Sequence, residues 1–189
     1  LVLTAVLVHK NVAIVNGATL RAATGSTKVL GDFSAVKSSV TFTTGSVEVA
    51  GVFALSALVI VFPVTATLGA LDIQAGTAQS TLTCRGFLNV TLSTVIHAGI
   101  LNIHGGGAMA NLDLRGPAAT IILNGVLTIS KDAVIAGTLT HDITSNPSAA
   151  LHLTVTGTLN VTATGVVHAD AKSSKLRACT ATTLGSSFG

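Results

Sequence analysis

The sequence is short of aromatic residues and of charge. It contains no Trp, no Tyr and six Phe among 189 residues, and charged residues make up 9% of it. Nucleic-acid binding needs a dense basic surface and often aromatic platforms. The basic residues here are scattered, apart from Lys172, Lys175 and Arg177, which we interpret as a solvated end. We therefore expect no nucleic-acid partner, and the lack of Trp and Tyr argues against an aromatic sugar-binding groove.

Cysteine is also scarce. Cys84 and Cys179 stand alone, with no second Cys or His at metal-ligand spacing, so a zinc site is not indicated. They are candidates for one disulfide, within the chain or between chains, and the alternative is two buried thiols. The sequence also lacks a Gly-x-Ser-x-Gly elbow and a phosphate-cradling Gly-x-x-x-x-Gly-Lys loop. We expect no metal and no cofactor.

What the chain does contain is apolar and polar residues in strict alternation. Apolar residues make up 49% of the sequence, and segments such as "LNVTL" at 88–92 and "LHLTVT" at 151–156 place them at every second position. Alternation in β-branched segments that end at Gly is typical of strands, and no segment has a helical stripe with caps. The alternation predicts an all-β protein.

The strands share a phrase: Gly, any residue, Leu or Val, a polar residue, then Val or Ile. It begins at Gly45, Gly69, Gly86, Gly99, Gly125 and Gly157. Such self-similarity indicates a repeat architecture. Because the offsets are irregular, we predict a single-stranded parallel β-helix with irregular coil lengths, in which stacked coils share one core. The alternative fold is an antiparallel β-sandwich, although only "NG" at 16–17 and 124–125 suits hairpin turns.

One uncharged stretch, residues 51–71, is long enough to cross a membrane as a helix. Against a helix, Pro63 falls inside it, Thr65 and Thr67 alternate with apolar residues, and no Lys or Arg flanks it. Two buried strands, "ALVIVF" at 57–62 and "VTATL" at 64–68, explain the same residues. We therefore favour buried strands over membrane insertion.

Acids and histidines are the candidates for chemistry. The polar slot of the phrase holds Glu48, Asp72 and Asp113, which stacked coils would align on an exposed face as in a polysaccharide lyase or hydrolase. Isolated acids are more often solubilising, and no Asp-Asp or Asp-x-Asp pair occurs. His97 and His168 occupy equivalent places in two similar segments, which favours a structural role. We therefore expect that the protein is not an enzyme.

Two further motifs concern the exterior. "NVT" occurs twice, and alternation places Asn89 and Asn160 outward, so both are candidate N-glycosylation sites. Pairs of Thr separated by one residue occur at 41 and 43, 65 and 67, 81 and 83, 138 and 140, 154 and 156, 162 and 164, and 180 and 182. Flat arrays of such pairs on β-solenoids bind ice, but the uneven intervals argue against one face.

The segment "GTLNVTATGVVHADAKSS" at 157–174 resembles the coils of secreted β-solenoid surface proteins, both adhesin-like and filament-forming. The resemblance implies a secreted, extracellular or cell-surface location. We expect residues 1–189 to form one β-helix domain, a fragment or mature piece of a longer chain. The predicted function is structural, in a filament, stalk, sheath or adhesin rod that self-associates. The alternatives are a β-helix polysaccharide lyase or hydrolase, and a β-solenoid that binds ice or cell-surface glycans.

Overall fold

The computed structural model describes residues 10–22, 25–141 and 151–168, together with the backbone of the strand residues 2–3 and 6–8. These residues form strands joined by turns, and no helix occurs among them. The strands are β1 (Val2–Leu3), β2 (Val6–Val8), β3 (Val12–Val15), β4 (Thr19–Ala22), β5 (Thr27–Val29), β6 (Phe33–Val36), β7 (Ser39–Phe42), β8 (Val47–Ser56), β9 (Val59–Phe62), β10 (Ala66–Ile73), β11 (Thr81–Cys84), β12 (Leu88–Ile96), β13 (Gly99–Ile103), β14 (Gly107–Met109), β15 (Leu112–Leu114), β16 (Ala119–Leu123), β17 (Val126–Ile129), β18 (Ala133–Ile135), β19 (Thr138–Thr140), β20 (His152–Val155), β21 (Leu159–Val161) and β22 (Val166–Val167).

Every strand pairing is parallel, and the strands stack into three faces. The first face runs β2, β5, β8, β10, β12, β14, β17, β20. The second face runs β3, β6, β8, β10, β12, β15, β18, β21. The third face holds β1, β4 and β7, followed by β9, β11, β13, β16, β19 and β22. The long strands β8, β10 and β12 bend across a corner and so belong to both the first and the second face.

The parallel β-helix predicted from the sequence is confirmed, and the antiparallel sandwich is wrong. The irregular coil length is confirmed as well. Along the first face, the register places Val47 opposite Ala66, 19 residues later, whereas Leu127 lies opposite Leu153, 26 residues later. Turns of different length absorb these differences without breaking the strand register.

One core runs through the stacked coils. Inward side chains such as Leu68, Leu101 and Leu127 are fully buried. Near the N-terminal coils, the rings of Phe33 and Phe53 stack within the second face, with centroids 4.9 Å apart. Phe53 also meets Phe62 of the third face at 5.2 Å. Because side chains from different faces touch, the faces enclose a single core, as the stacking of inward Leu, Val and Ile predicts.

The corner between the first and second faces depends on glycine. Gly31, Gly51 and Gly69 stack there in successive coils, and the N–H of Gly51 donates to the carbonyl of Gly31 at 3.0 Å. A Cβ on Gly69 would overlap the carbonyl oxygen of Ala50. Glycine therefore lets the backbones of successive coils approach closely at this corner.

The uncharged stretch at 51–71 lies in β8, β9 and β10, so the preference for strands is confirmed. No helix in the described residues is long and apolar enough to cross a membrane. Two details of the prediction are wrong. "ALVIVF" is not one strand, because Ala57 turns the chain with a φ of 58° and β9 begins at Val59. Val64, the first residue of the predicted buried strand "VTATL", is 45% exposed, because it lies in the turn before β10.

The shared phrase is a unit of one strand and not of one coil. Gly86 leads into β12 on the first face, Gly99 opens β13 on the third face, and Gly157 leads into β21 on the second face. The phrase therefore supplies a corner followed by a strand wherever the chain needs one. This reuse explains why its offsets are irregular.

Candidate functional site

The second face carries most of the charged side chains that come together. Nε2 of His97 lies 3.6 Å from Oδ1 of Asp72. The side-chain amide of Gln74 donates to Oδ2 of the same carboxylate at 2.9 Å. Just after β15, Nε of Arg115 donates to Oδ2 of Asp113 at 2.6 Å. Each acid thus has a local partner near the end of its strand.

The three acids of the phrase do not form one site. Asp72 and Asp113 share the outward row of the second face, but Val95 of β12 stands between them. Two strand spacings put them about 9.6 Å apart. Glu48 lies on the first face, where it pairs with Lys28 at 2.7 Å. The expected alignment therefore holds for Asp72 and Asp113, although they are too far apart to touch, and it is wrong for Glu48, which lies on another face.

Two other acids support the corner between the first and second faces. Oδ1 of Asp32 accepts a hydrogen bond from the N–H of Val52 at 2.8 Å, one coil later. Oδ1 of Asp132 does the same for Thr158 at 2.8 Å. Oδ1 of Asn11 accepts from the N–H of Asp32 at 2.9 Å. These side chains satisfy backbone donors that the bend of the chain leaves unpaired, which is a structural role.

The histidines occupy different settings. His97 follows β12 at the end of the second face, whereas His168 follows β22 on the third face. Their places in the coil are therefore not equivalent, contrary to the expectation from the similar segments. Nδ1 of His104 lies 3.3 Å from the side-chain nitrogen of Asn124. Within the described ranges, no three His, Cys, Asp or Glu side chains come together to hold a metal ion.

A cleft of about 280 Å³ opens beside the loop 74–80, where the second and third faces meet. Gln74, Ser80, Gly99 and Ala118 contribute to its lining. The hydroxyl of Ser80 accepts from the N–H of Ala57 at 2.8 Å and so anchors the loop. No ionisable side chain lines the cleft, so it offers a reaction neither a nucleophile–base pair nor a general acid.

The described residues thus assemble no recognisable catalytic centre. Comparison with known proteins adds no name: no family model, no curated protein and no solved structure matches the chain.

Cys84 points into the core and is completely buried. Its thiol donates to the carbonyl of Gly86, with a sulfur–oxygen distance of 3.4 Å. Burial raises the pKa of this thiol to about 11. Cys179 lies outside the described residues, so the disulfide between the two cysteines stays a prediction.

Both sequons lie in strands with Asn facing outward, as alternation predicts. Asn89 is half-exposed in β12 on the first face, and Asn160 is exposed in β21 on the second face. The nearly identical segments around them therefore project from different sides of the solenoid. Glycosylation of either residue stays a prediction.

The third face has two outward positions per strand, and between β7 and β19 neither column carries charge. We name this surface the hydroxyl–methyl array. It consists of Ser39, Thr41, Val59, Val61, Thr81, Thr83, Ile100, Asn102, Thr120, Ile122, Thr138 and Thr140. Arg85 and His104 lie beyond the strand ends, in the turns that lead to the first face.

The predicted Thr pairs contribute only part of this array. The pairs at 81 and 83 and at 138 and 140 lie in it, whereas the pair at 154 and 156 belongs to the first face. The pair at 180 and 182 lies outside the described residues. Ser39 and Thr120 belong to the array although neither is in a pair, and only the strand register identifies them.

Proposed function

We propose that this chain is a structural module of a secreted, extracellular or cell-surface rod, as in a filament, stalk, sheath or adhesin. The observation that carries the proposal is the continuous stack of parallel coils around one core. Backbone hydrogen bonds join successive coils along the first and second faces, and along the third face from β1 to β7 and again from β9 to β22, as between Ile100 and Ser80 at 2.8 Å. Bending such a rod strains all three ladders at once, which favours a mechanical task.

Exposed apolar side chains supply a surface for contact between subunits. Phe87 and Val126 stand in one column where the third face turns into the first, and Gly106 between them has no side chain. Val64 lies beside this column one coil earlier, next to the backbone of Gly86. Val64, Phe87 and Val126 are 45%, 43% and 53% exposed, and we call them the apolar ridge. Burying a Phe side chain contributes about 2–3 kcal/mol.

The low charge of the exterior supports the same proposal. The formal net charge is +3 over 189 residues, so copies of the chain repel each other little at close range. The enzyme alternative draws no comparable support, because Asp72 and Asp113 each pair with a neighbour on their own strand end and Glu48 faces another side.

Self-association tests the proposal. The secreted chain is studied by negative-stain electron microscopy and analytical ultracentrifugation over a range of concentrations. We expect rods or fibres, and we expect Phe87→Lys to shift the population to monomers because it puts a charge on the apolar ridge. Thr138→Lys on the third face is the matched control and should leave assembly unchanged. A wild-type chain that stays monomeric at every concentration would refute the proposal.

A further inference from the structure

The hydroxyl–methyl array has a composition that is unusual for a protein surface in water. A typical protein is about a quarter charged residues, yet twelve consecutive outward positions of the array hold none. Seven of the twelve are Ser or Thr, four are Val or Ile, and one is Asn. Nearly every position is therefore a hydroxyl, a methyl group, or both.

The array is also ordered. From β9 to β19 the strands pair without a register shift, so Val61, Thr83, Asn102, Ile122 and Thr140 form one column. Neighbours in a column are about 4.8 Å apart, and the two columns are about 6.6 Å apart. The amide of Asn102 donates to the hydroxyl of Thr83 at 3.2 Å, which ties adjacent coils together on the outer side.

We propose that the hydroxyl–methyl array binds the surface of ice. Ice presents an extended, uncharged lattice of water molecules. Hydroxyl groups can donate to and accept from such waters, and methyl groups between them restrict the orientation of the water they touch. A charged side chain would hold its own hydration shell and disturb the lattice, and the array has none. Strand spacing repeats these groups along the coil axis, as an ordered lattice requires.

Another copy of the chain fits this surface less well. Five strand spacings by a strand length of four residues give a surface of about 300 Å². Each partner in a standard protein interface buries about 800 Å². The apolar ridge is the better contact between copies, and it lies outside the array, at the corner where the third face turns into the first. Ice binding therefore does not depend on the structural function proposed above.

The test compares lysine substitutions on two faces. Thr83→Lys and Thr120→Lys place charge in the array, while Thr67→Lys and Thr128→Lys make the same change in strands of the first face. Circular dichroism and thermal unfolding confirm that each variant folds. The readouts are incorporation of the fluorescently labelled protein into a growing ice hemisphere, and ice-crystal shaping in a drop.

We expect the wild type and both first-face variants to enter and shape ice, and the two array variants to lose at least tenfold in incorporation. A wild type that is excluded from ice would overturn the proposal. Equal losses from both faces would also overturn it, because the array would then have no special role. If the array variants instead alter only the sedimenting mass, the surface is a contact between copies and the ice proposal is wrong.

Discussion

Oδ1 of Asp32 accepts a hydrogen bond from the backbone N–H of Val52, 2.8 Å away in the next coil. The atom occupies the space that a side chain on Gly51 would need. Asp32 therefore supplies an acceptor to a backbone N–H at the corner between the first and second faces, and its role is structural. Asp132 repeats this relationship with the N–H of Thr158 near the other end of the described solenoid.

Replacing Asp32 tests this role. Asp32→Ala leaves the N–H of Val52 without its acceptor, and we expect a loss of about 2 kcal/mol in the free energy of unfolding. Asp32→Asn retains the oxygen and should recover most of that loss. Glu48→Ala removes an exposed, salt-bridged carboxylate and serves as the control, with a change of less than about 1 kcal/mol. Urea denaturation measures all three. Equal effects of Asp32→Ala and Glu48→Ala would show that the corner bond is unimportant.

Alanine substitutions at Gly69 and Gly17 distinguish two reasons for glycine: close approach of another backbone, and a backbone conformation with positive φ. Alanine at Gly69 would push its Cβ into the carbonyl of Ala50, and we expect a cost of about 3 kcal/mol. Gly17 has a φ of 81° but open space around its Cα, so alanine there should cost only about 1 kcal/mol. Thermal unfolding of the two variants shows which of them loses more stability. The reverse order would contradict the close stacking of coils at the corner between the first and second faces.

Thr94 introduces a polar group into the core. It is completely buried between Leu71 and Leu112, and its hydroxyl has no hydrogen-bond partner among the described residues. Thr94→Val keeps the shape and removes the unsatisfied group, so we expect it to stabilise the protein by about 1 kcal/mol. The matched control is Thr128→Val, which changes an exposed side chain and should alter stability little. Calorimetry checks both, and a destabilised Thr94→Val variant would mean that the hydroxyl has a partner.

Cys84 predicts how stability depends on alkaline pH. The folded state keeps the thiol protonated up to a pKa of about 11, whereas the unfolded chain releases this proton near pH 8.5. The folded state therefore binds more protons between these two values, and stability must fall as pH rises through that window, by up to about 3 kcal/mol.

This pH dependence is measured by urea denaturation between pH 7 and 11 under reducing conditions. Cys84→Ala removes the titrating group and should flatten the slope relative to the wild type. The lysines and Cys179 also titrate in this window, but both proteins contain them, so the difference between the two slopes isolates Cys84. Parallel slopes for the two proteins would show that the folded state does not shield the thiol of Cys84 from water.

Local patterns predict the strands well and their placement poorly. Alternation predicts that Asn89 and Asn160 point outward, and both do. It cannot tell that they lie on different faces, because the face depends on how many turns of variable length precede each strand. Strand register depends on contacts between residues that are distant in the sequence. The shared phrase occurs on all three faces, so it does not indicate the register of any one strand.

The same limit affects the candidate site. The phrase correctly places Asp72, Asp113 and Glu48 outward, yet their mutual distances depend on register. The sequence alone does not indicate the hydroxyl–methyl array, because the array exists only once the strand register is known. Its members alternate with inward residues in several strands, but Val61 and Ile122 look like ordinary core residues until their partners are known.

Distances between spin labels test the central claim, that successive coils stack in register around one core. In a background with Cys84→Ala and Cys179→Ala, labels replace Val61 and Thr140 on the third face, or Thr67 and Thr154 on the first. Each pair is four strand spacings apart along its face. Double electron–electron resonance should give about 19 Å between the two backbone sites of both pairs, after allowance for the label arms. Clearly different distances for the two pairs, or values beyond about 30 Å, would contradict the stacked solenoid.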